Sequence, residues 1–254
     1  MTRYTASDDF QGAEFVDVSM SGALFREVDL SNTRMHGVLL MGADIDGAID
    51  GMRLNGVEVA PLVEAELDRL HPERLKLRPT SPAGAREAWA TVEGFWARTM
   101  ERAARLSEPE LQRSVGGEWS FLDTLRHLVF VTDAWFGNSV VLSPQPFHAL
   151  GLPATFITDS HTFGIDVNAS PTLEEVLQVR AERIEMVRTY LDSVTQADLD
   201  TLRQPAIPGW PPPAPRPAID CLRVVFNEEW AHHQFAIRDL AVIEAEATPA
   251  GGDG

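Results

Sequence analysis

Between Asp8 and Val59 the chain repeats with a period of five: Phe10, Phe15, Met20, Phe25, Leu30, Met35, Leu40 and Ile45 share one phase. Two positions before all but the first of these stand Ala13, Val18, Ala23, Val28, Thr33, Val38 and Ala43, all small or β-branched. A period of five matches neither the helical turn nor the two-residue alternation of a strand. The segment can therefore gather its apolar phase only by turning a corner at a fixed interval. The phase slips by one after Ile45 and resumes at Ile49, Leu54 and Val59, which reads as a corner adjustment or a cap.

On these residues the segment resembles the pentapeptide-repeat family. That resemblance implies a short right-handed quadrilateral β-helix over 8–60, with the large central residue and the small preceding one pointing into a narrow interior. It has length for only about two to three coils, near the lower limit for a solenoid that buries its core by stacking, so it is expected to lean on the rest of the chain. The family is uniform in structure and scattered in function, so the resemblance constrains the fold more than the activity.

After a connector over 61–82, PLVEAELDRLHPERL followed by the linker-like LRPTSPAG, the pattern becomes helical. Trp89, Val92, Phe95, Trp96, Met100 and Ala103 are spaced for a helix over Ala85–Leu106, and Phe121, Leu125, Leu128 and Trp135 for a second over Ser120–Leu142. A third opens at Pro171, with Thr172 or Ser170 as N-cap and Glu174 and Glu175 in its first turn, and runs to about Val194. The fourth spans Pro217–Glu244. Four such helices predict a mainly α protein with a small β part: an antiparallel four-helix bundle over 83–246, followed by a disordered tail, ATPAGGDG, over 247–254. Two long connections, Ser143–Ser170 and the proline-rich Gln204–Pro217, are expected to rim a pocket.

Composition narrows the partners. A net charge of −17 over 254 residues excludes phosphate-backbone binding, which needs clustered Lys and Arg, so no nucleic acid is expected. The lone cysteine, Cys221, can form no internal disulfide and suits a reducing compartment. The first residues lack a signal-peptide core and no apolar run reaches the length of a membrane span; the expected location is cytoplasmic, with no membrane partner.

The fourth helix carries the candidate chemistry. Leu222, Val225, Phe226, Glu229, His233, Ala236 and Leu240 follow at steps of three and four and trace one inward stripe. Glu229 and His233 therefore lie one turn apart on the core side, where they must be paired or bind a cation. Glu228 and His232 share a face with Arg238 and Asp239 and read as rim or solvated. On the second helix His127 is flanked by apolar residues, with Thr124, Val131 and Ala134 on its face. Two readings stand side by side. Either His127 is a hydrogen-bonded core histidine and Glu229–His233 a buried ion pair, or the three hold a divalent ion with positions left open. Cys221 has no neighbouring base in sequence and reads as packing.

Three stretches, GEWSFLDTLRHL around His127, the later EEVL at Glu174, and EEWAHHQ from Glu228, resemble the DinB superfamily of four-helix bundles, which includes mycothiol-dependent maleylpyruvate isomerases and bacillithiol transferases. The resemblance covers roughly Ala83 to Glu246. Many members present three histidines to a divalent metal; His127 and His233 match two of them, and Glu229 takes the place of the third, a departure shared with the isomerase branch. The resemblance implies a zinc or nickel ion on His127, Glu229 and His233 with no further catalytic residue. It implies a low-molecular-weight thiol such as mycothiol as cosubstrate, a small electrophile as substrate, and thiol S-transfer or thiol-dependent isomerisation as the reaction. Trp119, His148, His161, Trp210 and His232 are the residues expected to line the substrate pocket. Two alternatives are a hydrolase using metal-bound water and a non-enzymatic protein that docks a partner through the repeat. A homodimer is compatible with either.

Overall fold

The computed structural model describes residues 2–5 and 8–247. Most of the tail expected over 247–254, residues 248–254, lies outside the described residues. The chain divides into two compact units, Met1–Asp44 and Ile45–Gly254.

The first unit is built from turns. The second residue after each large apolar one from Phe10 to Leu40 has a left-handed backbone: Gly12, Asp17, Gly22, Glu27, Asn32, Gly37 and Gly42 all have φ between 52° and 74°. Every second turn is closed by a backbone hydrogen bond, from Ala13 N–H to the Phe10 carbonyl (2.9 Å), Ala23 to Met20 (2.9 Å), Thr33 to Leu30 (3.2 Å) and Ala43 to Leu40 (3.1 Å). A left-handed residue at every fifth position leaves extended stretches too short to pair, so residues 8–48 contain neither helix nor strand ladder. The large apolar phase is not enclosed: Phe10 is 46% exposed and Phe25 55%.

Residues after Ile45 that continue the five-residue phase fold differently from the expected cap. Arg53–Leu54 (β1) and Val57–Glu58 (β2) form an antiparallel hairpin around Asn55-Gly56, both at positive φ. An Asn-Gly pair flanked by strand residues is a strong short-range hairpin signal, and here it overrides the repeat.

The rest of the second unit is helical. The connector forms α1 (Ala60–Leu70) and a 3₁₀ turn, Pro72–Leu77. Then come α2 (Pro82–Ala103), a short α3 (Glu108–Leu111), α4 (Phe121–Val131), α5 (Leu173–Ser193), a short α6 (Gln196–Asp200) and α7 (Ala218–Ala247). The starts of the long helices follow from their caps. Ser81 accepts from Gly84 N–H, and Ser120 with Asp123 and Thr172 with Glu175 close reciprocal capping boxes. α4 continues into a π-helical segment, Thr132–Asn138. α7 packs on α2 and α4, and α5 packs on α4 and α2, around one apolar core that includes Trp89, Phe121, Leu128, Val187, Phe226 and Leu240. A two-residue ladder, Leu202–Arg203 (β3) with Arg216–Pro217 (β4), pins the two ends of the proline-rich crossover together at the start of α7.

Candidate metal centre

α7 presents its two acid–histidine pairs to different neighbours. A step of one residue rotates a side chain by about 100° around a helix. Glu229 and His233 face the middle of the core, whereas Glu228 and His232 face the seam with α4.

On the core face both groups are satisfied by protein. Glu229 is fully buried and accepts two hydrogen bonds from Arg180 on α5, from Nη1 to Oε1 at 2.7 Å and from Nη2 to Oε2 at 2.9 Å. His233 Nε2 shares a hydrogen bond with the Thr99 hydroxyl at 2.7 Å, and its ring lies against Phe95 (4.4 Å between centroids) and Trp96 (5.3 Å). Desolvation, with help from the charges of Arg98 and Arg102, pushes the His233 pKa down to about 4, so the ring is neutral near pH 7.

On the seam face the geometry is different. One potential ligand atom from each of His127, Glu228 and His232 lies within 4.8 Å of the others. His127, 6% exposed, places Nε2 3.8 Å from Glu228 Oε2, and its ring centroid is 4.5 Å from that of His232. The Nδ1–H of His127 donates to the Leu152 carbonyl at 2.8 Å, and that of His232 to the Glu228 carbonyl one turn back at 3.0 Å. A carbonyl can only accept, so in the neutral form of either ring the proton sits on Nδ1 and Nε2 carries the lone pair. His232 Nδ1 also lies 3.3 Å from Glu228 Oε2. Burial favours the neutral form of Glu228, but a hydrogen bond with His127 and the positive charge of His232 and His127 when protonated outweigh it and hold the carboxyl below the usual glutamate range. Desolvation, and then repulsion from His127 wherever that ring is protonated, push His232 down to about 4.

The set fits a divalent ion. Zinc holds imidazole nitrogen and carboxylate oxygen at about 2.0–2.2 Å, so two donors sharing one ion stand about 3–4 Å apart, as His127 Nε2 and Glu228 Oε2 do. Neutral imidazoles and an ionised carboxylate are the ligating forms.

Of the ligand set expected from the stripe, His127, Glu229 and His233, the structure brings His127 together with Glu228 and His232 instead, one residue earlier on α7. Glu229 and His233 do face inward, but the acid is taken by Arg180 and the histidine by Thr99. A sequence signal for this existed: Val176, Arg180, Val187 and Leu191 lie on one stripe of α5, so a guanidinium in the core demands a carboxylate partner.

The residues expected around the pocket separate into two groups. Trp119 joins the site: its ring is 4.6 Å from His127 and 6.2 Å from His232. His232 moves from the pocket wall to the triad. His148 lies on the loop that reaches His127, where its Nδ1 accepts from Leu150 N–H at 3.1 Å. His161 and Trp210 make no ring or hydrogen-bond contact with the triad, although Phe130, in the cluster against which Trp210 packs, lies 6.1 Å from the His127 ring. His161 is exposed on a short 3₁₀ turn, Ser160–Phe163, and Trp210 packs edge-on to Phe156 at 5.5 Å beside a separate cluster of Phe130, Phe147 and Phe163. A cleft of about 440 Å3 between the connector and α7 reaches Glu228, lined also by Glu64, Arg74, Arg78, Arg223 and Asn227.

Comparison with known proteins agrees with the geometry. Residues 91–236, more than half of the chain and inclusive of all three seam residues, match the family model of the DinB superfamily. The chain belongs to the DinB superfamily. Residues 9–48 match the pentapeptide repeats in eight copies, ending where the five-residue phase slips. No curated protein and no solved structure matches the chain. Among the described residues of this DinB-superfamily protein, no helix is long and apolar enough to cross a membrane.

Proposed function

We propose that this chain is a metal-dependent enzyme that transfers a low-molecular-weight thiol, of the mycothiol type, to a small electrophile, or uses it to isomerise one. The observation that carries the reading is the convergence of His127, Glu228 and His232, with a backbone carbonyl on Nδ1 of each ring that leaves Nε2 to act as ligand in the neutral form. These three would hold the ion, zinc or nickel. Bound there, it would lower the pKa of a thiol toward neutrality and so supply a thiolate nucleophile. We infer also that α2, α4, α5 and α7 form the DinB-type four-helix bundle, and that the repeat winds as a short pentapeptide coil.

Several features of the chain support an external thiol. Cys221 is 1% exposed and burial pushes its thiol up to about 11, so the protein's own sulfur is neither accessible nor ionised near pH 7. The ring of Trp119 flanks His127 and His232 and offers an apolar surface to a substrate beside the triad. The cleft at Glu228 is large enough for a small molecule, and its arginines are held in place: Arg74 and Arg78 by Glu64 and Asp68, Arg223 by Asp220 and the Pro79 carbonyl.

The test combines metal analysis of the purified protein with thiol-depletion assays, using mycothiol and bacillithiol against a panel of electrophiles. Thiol consumption is expected only when metal and electrophile are both present, lost in Glu228→Ala and kept in Cys221→Ala. Turnover without added thiol would replace this reading by a hydrolase using metal-bound water. No turnover, with indifference to metal, would point to an interaction protein.

A further inference from the structure

Residues 148–152 of the long loop lie along α4 and are fastened at both ends. At one end the His148 N–H donates to Asp133 Oδ2 at 2.8 Å, and Asp133 is itself held by Arg183 Nε at 2.7 Å. At the other, Arg126, 5% exposed, donates from Nε to the Leu150 carbonyl at 3.1 Å and from Nη2 to the Asp166 carbonyl at 3.3 Å. The Arg126 carbonyl accepts from Leu152 N–H at 3.1 Å. Between these anchors Gly151 N–H closes a turn on the His148 carbonyl at 3.0 Å, and Asp166 N–H bonds the Ala149 carbonyl at 3.0 Å. Gly151 runs so close to α4 that a Cβ there would stand 3.2 Å from the His148 oxygen and 3.4 Å from Phe130 Cβ. The end product of this fastening is one carbonyl, that of Leu152, aimed at His127 Nδ1.

We propose that residues 148–152 form a strap that sets the tautomer of His127, and that Arg126 is its positioning residue. A neutral imidazole carries its single proton on either nitrogen, and the partner of one nitrogen decides the state of the other. With Leu152 oxygen on Nδ1, the proton stays there and Nε2 turns its lone pair toward Glu228 and His232. Without the strap, the proton is free to move to Nε2, where the Glu228 carboxylate attracts it. Arg126 lies beside His127 in sequence, yet it acts through the loop. Its guanidinium gathers carbonyls from two separate parts of the connection, Leu150 and Asp166, a task that needs a planar group with several donors. The benefit to a bound ion rests on the metal reading above; the tautomer itself does not.

The experiment uses full-length protein labelled with 15N-histidine, stripped of metal, at about two pH units above the ordinary histidine pKa, where free imidazole is neutral. Long-range 1H–15N correlation reads the protonated nitrogen of each ring. His127 should carry its proton wholly on Nδ1 in the wild type. It should become a mixture in Arg126→Gln and in Gly151→Ala, while His233 is unchanged. Zinc affinity should fall about 10- to 100-fold in both variants, the size of effect that outer partners of metal-ligating histidines have. Arg126→Lys, which keeps the charge but not the planar fork that spans both carbonyls, should leave His127 a mixture as in Arg126→Gln. A merely structural Arg126 would leave the ring state of the folded variants unmoved. His127 protonated on Nε2 in the wild type, or unaltered in folded Arg126→Gln and Gly151→Ala, would overturn the proposal. Should Arg126→Gln fail to fold, Gly151→Ala decides alone. A tautomer that shifts as expected in a protein that binds no zinc would uphold the strap and discard the metal reading.

Discussion

α7 carries the same pair twice, Glu228 with His232 and Glu229 with His233, offset by one residue. The spacing is identical and the surroundings are not. On the core face, an arginine from α5 and a threonine from α2 reached the two groups first, and burial is complete for the acid. On the seam face the arginines that share a cleft with Glu228, Arg74, Arg78 and Arg223, are each held by another acid. The partners of Glu228 there are two imidazoles, His127 with Nε2 at 3.8 Å and His232 with Nδ1 at 3.3 Å. The contrast teaches that an i,i+4 acid–histidine pair is only a potential ligand pair. What decides its use is whether a neighbouring helix brings a protein counter-charge or a third ligand.

The largest break in this contrast should come on the core face. Arg180→Ala leaves the Glu229 carboxylate buried and unpaired, which should cost about 3–5 kcal/mol in urea unfolding. The double change Arg180→Met with Glu229→Leu should recover most of that loss, because a buried pair replaced by apolar side chains is often close to neutral. Equal destabilisation in the single and double variants would show that the pair does more than neutralise itself.

Next in size is metal affinity. His232→Ala and Glu228→Ala should each weaken zinc binding by at least about 100-fold, roughly 2.7 kcal/mol, whereas His233→Ala should leave it nearly unaltered. Titration calorimetry on the purified variants reads both faces in one comparison. The reverse ranking would return the site to the core face.

Acid should erode stability through both faces at once. His232 and His233 are each held down at about 4 in the folded chain, against about 6.5 when unfolded, so the unfolded state takes up protons first as pH falls through this window. Asp133 works in the opposite direction. Burial raises it to about 6, so it binds its proton earlier in the folded state and is relieved by acid. Two histidines against one aspartate leave a net loss of about 3 kcal/mol between about pH 7 and 4.5 in metal-free protein, measured as a lower melting temperature. A melting temperature that rises on acidification would contradict the neutral state assigned to both rings. The smallest effect is Thr99→Val, which removes the partner of His233 Nε2 and should cost about 1 kcal/mol without changing zinc binding.

Much of this was legible in the chain. The five-residue period located the repeat, and the apolar spacing located α2, α4, α5 and α7 together with the inward stripe of α7. His127 was recognised as an unusual group on an apolar face. What escaped was the choice between the two pairs on α7, because it depends on Arg180, which lies 49 residues away in sequence. The Leu152 carbonyl escaped for a different reason: a backbone oxygen carries no sequence signature, and only the path of the loop brings it to His127.

The sequence by itself determined the periodicities: a left-handed corner every five residues near the start, and helices with one apolar stripe each in the remainder. It also determined that acid and histidine on α7 stand one turn apart, since that follows from helical geometry alone. Which pair is spent on the core and which faces His127 was decided only by the packing of α5 and α4 against α7. Helix rotation is set by how the apolar stripes meet as a whole, and a shift of one residue, about 100°, exchanges a buried ion pair for an open set of ligands.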